Sequence, residues 1–422
     1  MTRDTSSLHV AFAIALRSAA LLSTLLVGSG CDCDSNEQGY RIAPAGRNLS
    51  APLAPRQAFD QELTRACGEI GPGPAASNLI RAPYLQSVSD TLATLVWTST
   101  VPDLRVEHRL AGSDEPVTLS GQLDSSAELP KGAQYLAAMS ELAPKTIYCY
   151  QLLSDDALLF QGGFRTAPTP DDSVRFSALG DLGTSSKDQL AVRDQLESVD
   201  SDFLLLTGDL AYESGTLAQY EAHVFTVYRD LFALVPLFPA SGNHDYQTRD
   251  AEAFRQVFVL PTNGGHEGRE RWYSFDWGPV HVAVLDTETK LDAQASWLRQ
   301  DLAATELPWK VVALHKPPFS SGAHGSEQSV RDSLVPVFVE QEVDLVLAGH
   351  EHSYERSTAQ DGVHYVVTGG GGRGTRPVGS SDFTAFSARV AHFVYIEASP
   401  SALTLHAIDA SGQEFASLQL KR

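Results

Sequence analysis

Phe203-Leu204-Leu205-Leu206-Thr207-Gly208-Asp209-Leu210-Ala211-Tyr212 is the stretch on which the reading of this chain turns. An apolar run of this length, cut off by a glycine, predicts a strand buried on both faces. Gly208 lets the chain turn tightly as it leaves the sheet. Asp209 then stands at the strand's carboxyl end, where α/β sheets keep their ligand sites. A lone Gly-Asp pair is most often only a turn. Here four other strand-like runs end in the same manner. Residues 176–179 run into Gly180-Asp181, and 237–241 into Gly242-Asn243-His244-Asp245. Residues 310–314 end at His315, and 343–348 at Gly349-His350-Glu351-His352.

Collected from the five strand ends, the polar residues are Asp181, Asp209, Tyr212, Asn243, His244, His315, His350 and His352. Each offers oxygen or nitrogen and none offers sulfur, a donor set suited to hard or borderline metals. Two metals roughly 3.5–4 Å apart need about this many ligands and one carboxylate to bridge them. One Asp or His past a strand is usually a capped turn or a satisfied core residue. Five such sites in one domain argue against that reading.

A chain of 422 residues has room for about two or three domains. With 43% hydrophobic and 20% charged residues it builds a sizeable core. Its formal charge of -21 argues against nucleic acid or an anionic membrane surface as the main partner. An acidic protein that handles a phosphate ester needs local positive charge, which bound metal cations supply. The four cysteines contain no C-x-x-C, and Cys31-Asp32-Cys33 is too tight for zinc-finger spacing.

Residues 1–30 read as an export signal: Arg3 and Arg17, a short apolar segment, then Ser29-Gly30-Cys31. The pattern resembles a lipoprotein signal with Cys31 as a candidate lipid anchor, although Gly28 stands where such signals usually carry Leu. Ordinary secretion is the alternative. Either places the mature chain outside the cytoplasm, as a periplasmic or cell-envelope lipoprotein or as a secreted protein. Disulfides persist there, so Cys67 and Cys149 are a candidate pair whose connectivity the sequence does not fix.

Residues 31–77, rich in Ala, Pro, Gly and Arg, read as a tether with a short helix near 59–67. Short alternating segments over 78–168 predict a small β-sandwich with Trp97 in its core. From 171 to 422 strand-like and helical runs alternate, which defines an α/β domain. Helical text covers 187–198, 216–232 and 292–303, and closing strands follow at 393–398, 402–408 and 415–420.

The ordered blocks GDLG (180–183), GDLAY (208–212), GNHD (242–245), VALH (312–315) and GHEH (349–352) resemble the five-block pattern of the purple acid phosphatases, within the calcineurin-like metallophosphoesterases. The flanks Gly278-Pro279-Val280-His281, Gln294-Ala295-Ser296-Trp297-Leu298 and His352-Ser353-Tyr354-Glu355-Arg356 are similar to text of that family, and the likeness covers about residues 79–420. The resemblance implies a four-layer α/β/β/α sandwich preceded by a fibronectin type III-like domain. It implies that Asp181, Tyr212 and His352 hold Fe3+. Asn243, His315 and His350 would hold a divalent ion (Zn2+, Mn2+ or Fe2+), and Asp209 would bridge the two. His244 and His324 match its outer histidines, one orienting phosphate and one donating a proton to the leaving alkoxide. The implied activity is an acid phosphatase that hydrolyses small phosphate monoesters by attack of metal-bound hydroxide. The alternatives are a phosphodiesterase or nucleotidase on the same site or, from another class, a cell-surface binding module with a structural metal site. The oligomeric state is not set by the sequence.

Two positions depart from the family pattern. Glu351 stands where plant-type members often carry Val, and its side chain either points away or reaches a partner behind the ligands. Gly325 stands where many plant members carry a second histidine. The glycine run 369–374 lacks the Lys-Ser/Thr ending of a phosphate loop and reads as a tight loop behind the metal site, with Arg373 a candidate for the substrate side. His223, His266, His281, His364, His392 and His406 read as surface or structural.

Overall fold

The apolar runs that precede the five motifs become parallel strands of two facing sheets. The computed structural model describes residues 53–422, so the export signal, Cys31 and the first part of the expected tether lie outside the described residues. Phe203–Thr207 is buried along its whole length. It lies between Val174–Leu179 and Leu237–Ala240, parallel to both. The sheet continues antiparallel through His392–Ser399, Ala402–Asp409 and Glu414–Lys421, giving six strands.

The second sheet has seven strands, in the order Tyr273–Trp277, Val280–Val284, Trp309–Leu314, Leu345–Ala348, His364–Thr368, Tyr354–Ser357, Thr384–Ala388. The second to fifth of these run parallel. The sheets meet through aromatic packing. Phe203 stacks on Phe176 at 4.6 Å and meets Phe275 and Trp277 of the other sheet at 5.3 and 5.2 Å. Such pairs contribute about 0.5–1.5 kcal/mol each beyond their burial.

Helices cover the outer faces. Leu291–Ala304 and Gln328–Glu340 bury Leu298, Leu302, Val330, Leu334 and Phe338 in one cluster with Val312, Leu314 and Val346 of the second sheet. Lys187–Leu196 is capped by Ser186, whose hydroxyl accepts the Gln189 N–H at 3.1 Å, and it buries Val192 and Leu196 on the first sheet. The architecture is the four-layer α/β/β/α sandwich.

The single helix expected over 216–232 is broken. It starts with a capping box between Thr216 and Gln219 in Leu217–Tyr220. It then widens at Glu221–Phe225, where the Thr226 N–H reaches the Glu221 carbonyl at 3.0 Å, before Arg229–Phe232 resumes. The cause is outside the segment: Gln189 donates to the His223 carbonyl at 2.7 Å, and Arg81 grips the Glu221 carboxylate. The Gln189 amide inserted there competes with the helical ladder for the His223 carbonyl, while Arg81 pins the Glu221 side chain.

Upstream, nine strands form two antiparallel sheets. One runs Gly71–Pro72, Ala157–Arg165, Ile147–Ser154, Arg105–Leu110, Val117–Ser120; the other runs Leu79–Gln86, Ala93–Ser99, Ala133–Met139, Gln122–Leu123. Trp97 is fully buried there and stacks on Tyr135. The described end of the expected tether, residues 53–77, is packed rather than free. In helix Gln57–Cys67 the residues Phe59, Leu63 and Cys67 share one face and are buried against Ile147–Ser154 and Ala157–Arg165. Cys67 is disulfide-bonded to Cys149 across a Cα–Cα distance of 5.2 Å. The sandwich touches the strand that leads to the GNHD block: Gln86 donates to the Leu237 carbonyl at 2.9 Å. Tyr150 also donates to the Ala233 carbonyl at 2.8 Å. Among the described residues no helix is long and apolar enough to cross a membrane.

Candidate metal centre

Every motif leaves the carboxyl end of a strand, and the two facing sheets bring those ends together. The turns are extreme. Asp181, Asp209 and His350 take φ of +57°, +51° and +72°, a left-handed conformation that side chains other than glycine rarely adopt. Strain of this kind clusters at functional sites. Close approach also explains two glycines. A Cβ on Gly208 would lie 2.6 Å from His315 Nδ1, and one on Gly242 would lie 2.3 Å from Asp209 Oδ1.

The structure brings all seven expected ligands into one cluster. The Tyr212 hydroxyl lies 2.9 Å from Asp181 Oδ1, 3.0 Å from Asp209 Oδ2 and 3.3 Å from His352 Nε2. His352 Nε2 is 3.4 Å from Asp181 Oδ1. On the other side His315 Nε2 lies 3.3 Å from Asp209 Oδ2 and 3.2 Å from Asn243 Oδ1. Ligand atoms of Asp209, His315 and His350 fall within 4.8 Å of one another. His315 Nδ1 is fixed by the Thr207 carbonyl at 2.9 Å, which leaves Nε2 for the centre. Asp209 belongs to both sides.

The electrostatics fit a cation. Asp181 and Asp209 are both buried, and among the described residues they pair with histidines but with no lysine or arginine. The Tyr212 hydroxyl has one proton for two carboxylate acceptors. Burial and those carboxylates push it well above the ordinary phenol range, so a phenolate forms there only with added positive charge. Burial would lower His315, but the Asp209 charge overrides it and raises the imidazole to about 10. Burial would raise Asp209, but the charge and hydrogen bond of His315, together with the His244 N–H, hold it below the ordinary carboxylate range. His350 is pushed down to about 2 by burial and by His315 and His324 beside it, which keeps it neutral and free to bind a metal.

The two expected outer histidines flank this cluster. His244 donates from Nδ1 to the Glu213 carbonyl at 2.6 Å and turns Nε2 toward Asp209 Oδ2 at 3.9 Å, with its ring 4.4 Å from that of Tyr212. His324 lies over His350, the ring centroids 4.4 Å apart. Two arginines stand at the rim. Arg373 covers the Tyr212 ring at 5.0 Å while paired with Glu213, and Arg376 reaches the His324 ring at 3.2 Å. The glycine run braces Asp181 from behind: the Gly371 N–H donates to the Gly180 carbonyl at 2.9 Å and the Arg373 N–H to the Asp181 carbonyl at 2.8 Å.

Sequence reasoning gave no role to Asp245, the last residue of GNHD. Its buried carboxylate accepts from the Gly242 N–H at 2.8 Å, the Leu210 N–H at 3.2 Å and the Tyr220 hydroxyl at 2.5 Å. It ties the loop of Asp209 to the loop of Asn243. An acid two residues past a ligand was the available signal. Arg376 had none, since its partner lies 52 residues away.

The fold thus gathers carboxylate, phenol, amide and imidazole side chains at its strand ends. Residues 174–354 match the calcineurin-like phosphoesterase family and form that domain. Purple acid phosphatases are among the curated relatives of the chain. Purple acid phosphatase 21 of Arabidopsis thaliana is 29% identical over 252 residues, 55% of this chain and 56% of its own. The phosphoenolpyruvate phosphatase of Allium cepa is 29% identical over 255 residues, 55% and 52% of the two chains. An uncharacterized protein of Mycobacterium tuberculosis is 29% identical over 266 residues, 52% and 50%. The chain thus spans about half the length of the curated relatives it matches. The purple acid phosphatase PPD1 of yellow lupin shares the fold with a TM-score of 0.72, at 21% identity over 81% of this chain and 75% of that one.

Proposed function

We propose that the chain is an exported acid phosphatase that hydrolyses small phosphate monoesters at a two-metal centre. In this reading Asp181, Tyr212 and His352 hold Fe3+, Asn243, His315 and His350 hold Zn2+, Mn2+ or Fe2+, and Asp209 bridges them. The observation that carries it is the Tyr212 hydroxyl lodged between two buried carboxylates that, among the described residues, have no lysine or arginine partner. Bound there, the metal pair would activate water and offset charge on the phosphoryl oxygens. The rest falls to side chains of the chain. His244, anchored at Nδ1, presents Nε2 to a phosphoryl oxygen. His324 gives a proton to the leaving oxygen as its bond to phosphorus breaks. Arg373 and Arg376 add positive charge at the rim of an otherwise acidic protein.

We assign residues 78–168 to a fibronectin type III-like domain and 171–422 to the catalytic domain. Residues 1–30 serve as the export signal, with Cys31 as the candidate lipid anchor. The Cys67–Cys149 bridge supports an extracytoplasmic location, since disulfides persist there.

Metal analysis with a visible spectrum tests the metal assignment. The loaded protein should show a phenolate-to-iron band that disappears in Tyr212→Phe; a band unchanged by that substitution would remove Tyr212 from the iron site. Assay of p-nitrophenyl phosphate against bis(p-nitrophenyl) phosphate tests the substrate class, and faster turnover of the diester would replace the monoesterase reading.

A further inference from the structure

Glu351 sits between His350 and His352, yet it faces away from both ligand atoms. Its carboxylate is almost fully buried. Oε1 accepts the backbone N–H groups of His324 and Gly325, the latter at 3.1 Å, and Oε2 accepts that of Ala323 at 3.0 Å. Oε1 also lies 3.3 Å from His324 Nδ1. Three successive amides of one loop therefore converge on a single buried carboxylate, an arrangement of charge-assisted bonds that fixes backbone firmly. Space is matched as well: a Cβ on Gly322 would lie 2.4 Å from Glu351 Cδ, so the loop closes over the carboxylate only with glycine there.

A second buried carboxylate grips the loop one step earlier. Glu355 Oε2 accepts the Ser321 N–H at 2.6 Å and the Ser320 hydroxyl at 3.2 Å, and Oε1 accepts the Thr384 hydroxyl at 2.6 Å. Glu355 holds the root of the loop and Glu351 holds its tip. His324, by contrast, has a half-exposed side chain whose own contacts are the His350 ring, Arg376 and Glu351. Left to itself, an exposed loop histidine would sample many orientations at an entropic cost.

We infer that Glu351 is a positioning residue for His324: its buried carboxylate, presented by the same turn that presents His350 and His352, orders the 322–325 loop so that the imidazole is held for proton delivery to the leaving oxygen. This rests on the proposed role of His324 as proton donor. In that step the phosphorus–oxygen bond to the leaving group breaks, its electron pair stays on the leaving oxygen and the His324 proton joins it, while water supplies the new oxygen on phosphorus and releases a proton to solvent, from which His324 is reprotonated. Placing the anchor between two metal ligands registers the donor with the metal centre, so the two cannot drift apart independently.

The test uses the metal-loaded full chain and two substrates that differ in their need for a proton. The p-nitrophenolate of p-nitrophenyl phosphate leaves without one; the alkoxide of glycerol phosphate does not. Glu351→Gln keeps the size but sets an amide N–H against a backbone N–H. Glu351→Asp keeps the charge with a shorter reach and serves if the first variant does not fold. In either, metal content and the visible band should match wild type. Turnover of glycerol phosphate should fall by about 10-fold or more, a fraction of the 10²–10⁴-fold that general acid catalysis supplies. Turnover of p-nitrophenyl phosphate should stay within about threefold. His324→Ala should show the same selectivity, and Glu351→Gln on top of it should add little. Equal loss on both substrates, or loss of metal, would overturn the positioning role. Absence of leaving-group selectivity in His324→Ala itself would overturn the proton-donor reading instead, and selectivity in His324→Ala without any in the Glu351 variants would overturn only the inference about Glu351.

Discussion

Two buried histidines on neighbouring parallel strands face opposite ends of the same sheet. His281 lies near the amino end of Val280–Val284, and His315 follows the carboxyl end of Trp309–Leu314. Both are held by carboxylates and both are pushed up in pKa. For His281, burial lowers the value but hydrogen bonds to Asp276 and Asp301 override it and hold it at about 9. His315 reaches about 10 through Asp209. A perturbed imidazole therefore does not by itself mark a metal site. Partner arrangement separates the two. His281 spends both ring nitrogens on carboxylates, at 2.6 and 2.9 Å, and its cluster closes on itself. His315 spends Nδ1 on a backbone carbonyl, and its Nε2 meets Asp209 and Asn243 at 3.3 and 3.2 Å and lies near His350, in a cluster that among the described residues no lysine or arginine neutralises. The first arrangement is a closed pair that spends both nitrogens, and the second leaves the atoms of several side chains converging on one point, as the proposed metal centre requires.

Removing the carboxylate from each cluster gives the largest contrast. Asp209→Ala should abolish loading of both metals and lower kcat/KM by at least the roughly 10²–10³-fold that removal of one charge-stabilising donor costs. Asp301→Ala should leave metal content and activity per folded molecule as in wild type, while lowering unfolding stability by about 3 kcal/mol for a broken buried pair. Metal analysis, kinetics and urea melts on the two variants read both effects. Metal loss in Asp301→Ala would erase the distinction. Replacing the histidines is the milder version. His315→Gln should weaken the divalent metal by roughly the 10–100-fold that even an outer partner is worth, or more. His281→Gln should leave metal titrations unchanged.

This distinction was only half legible in the sequence. The clustered residues could be read because each parallel strand is buried on both faces, which writes it as a largely apolar run, and polar residues that follow such a run stand at the carboxyl end. Asp181, Asp209, Asn243, His315 and His350 all carry that local mark. His281 lacks it and reads from sequence only as surface or structural, and its partners Asp276 and Asp301 are side chains from a neighbouring strand and a helix. Pairings of that kind depend on tertiary register, to which hydrophobic periodicity is blind. The same limit hid the grip of Glu351 on the loop of His324, the link from Asp245 to Leu210 and the break in the 216–232 helix by Gln189. In each, the two partners lie more than 20 residues apart in the sequence.

The smallest expected effect is also the one that isolates His281. Its folded-state pKa of about 9 lies above the ordinary histidine value near 6.5, so the folded protein binds its proton more tightly than the unfolded chain does. The resulting stability is fully present below about pH 6.5 and is lost as pH rises through 9. A shift of this size corresponds to about 3 kcal/mol at most, and screening at the solvent-exposed Asp276 brings the expectation to about 1–2 kcal/mol. Urea midpoints measured from pH 6 to pH 10 should fall more steeply for wild type than for His281→Gln, the two curves converging at the alkaline end. Ionic groups elsewhere act on both proteins alike, so the difference between the curves belongs to His281. Parallel curves would mean that the imidazole is neutral throughout, and the ion pair at the amino end of the sheet would reduce to two ordinary hydrogen bonds.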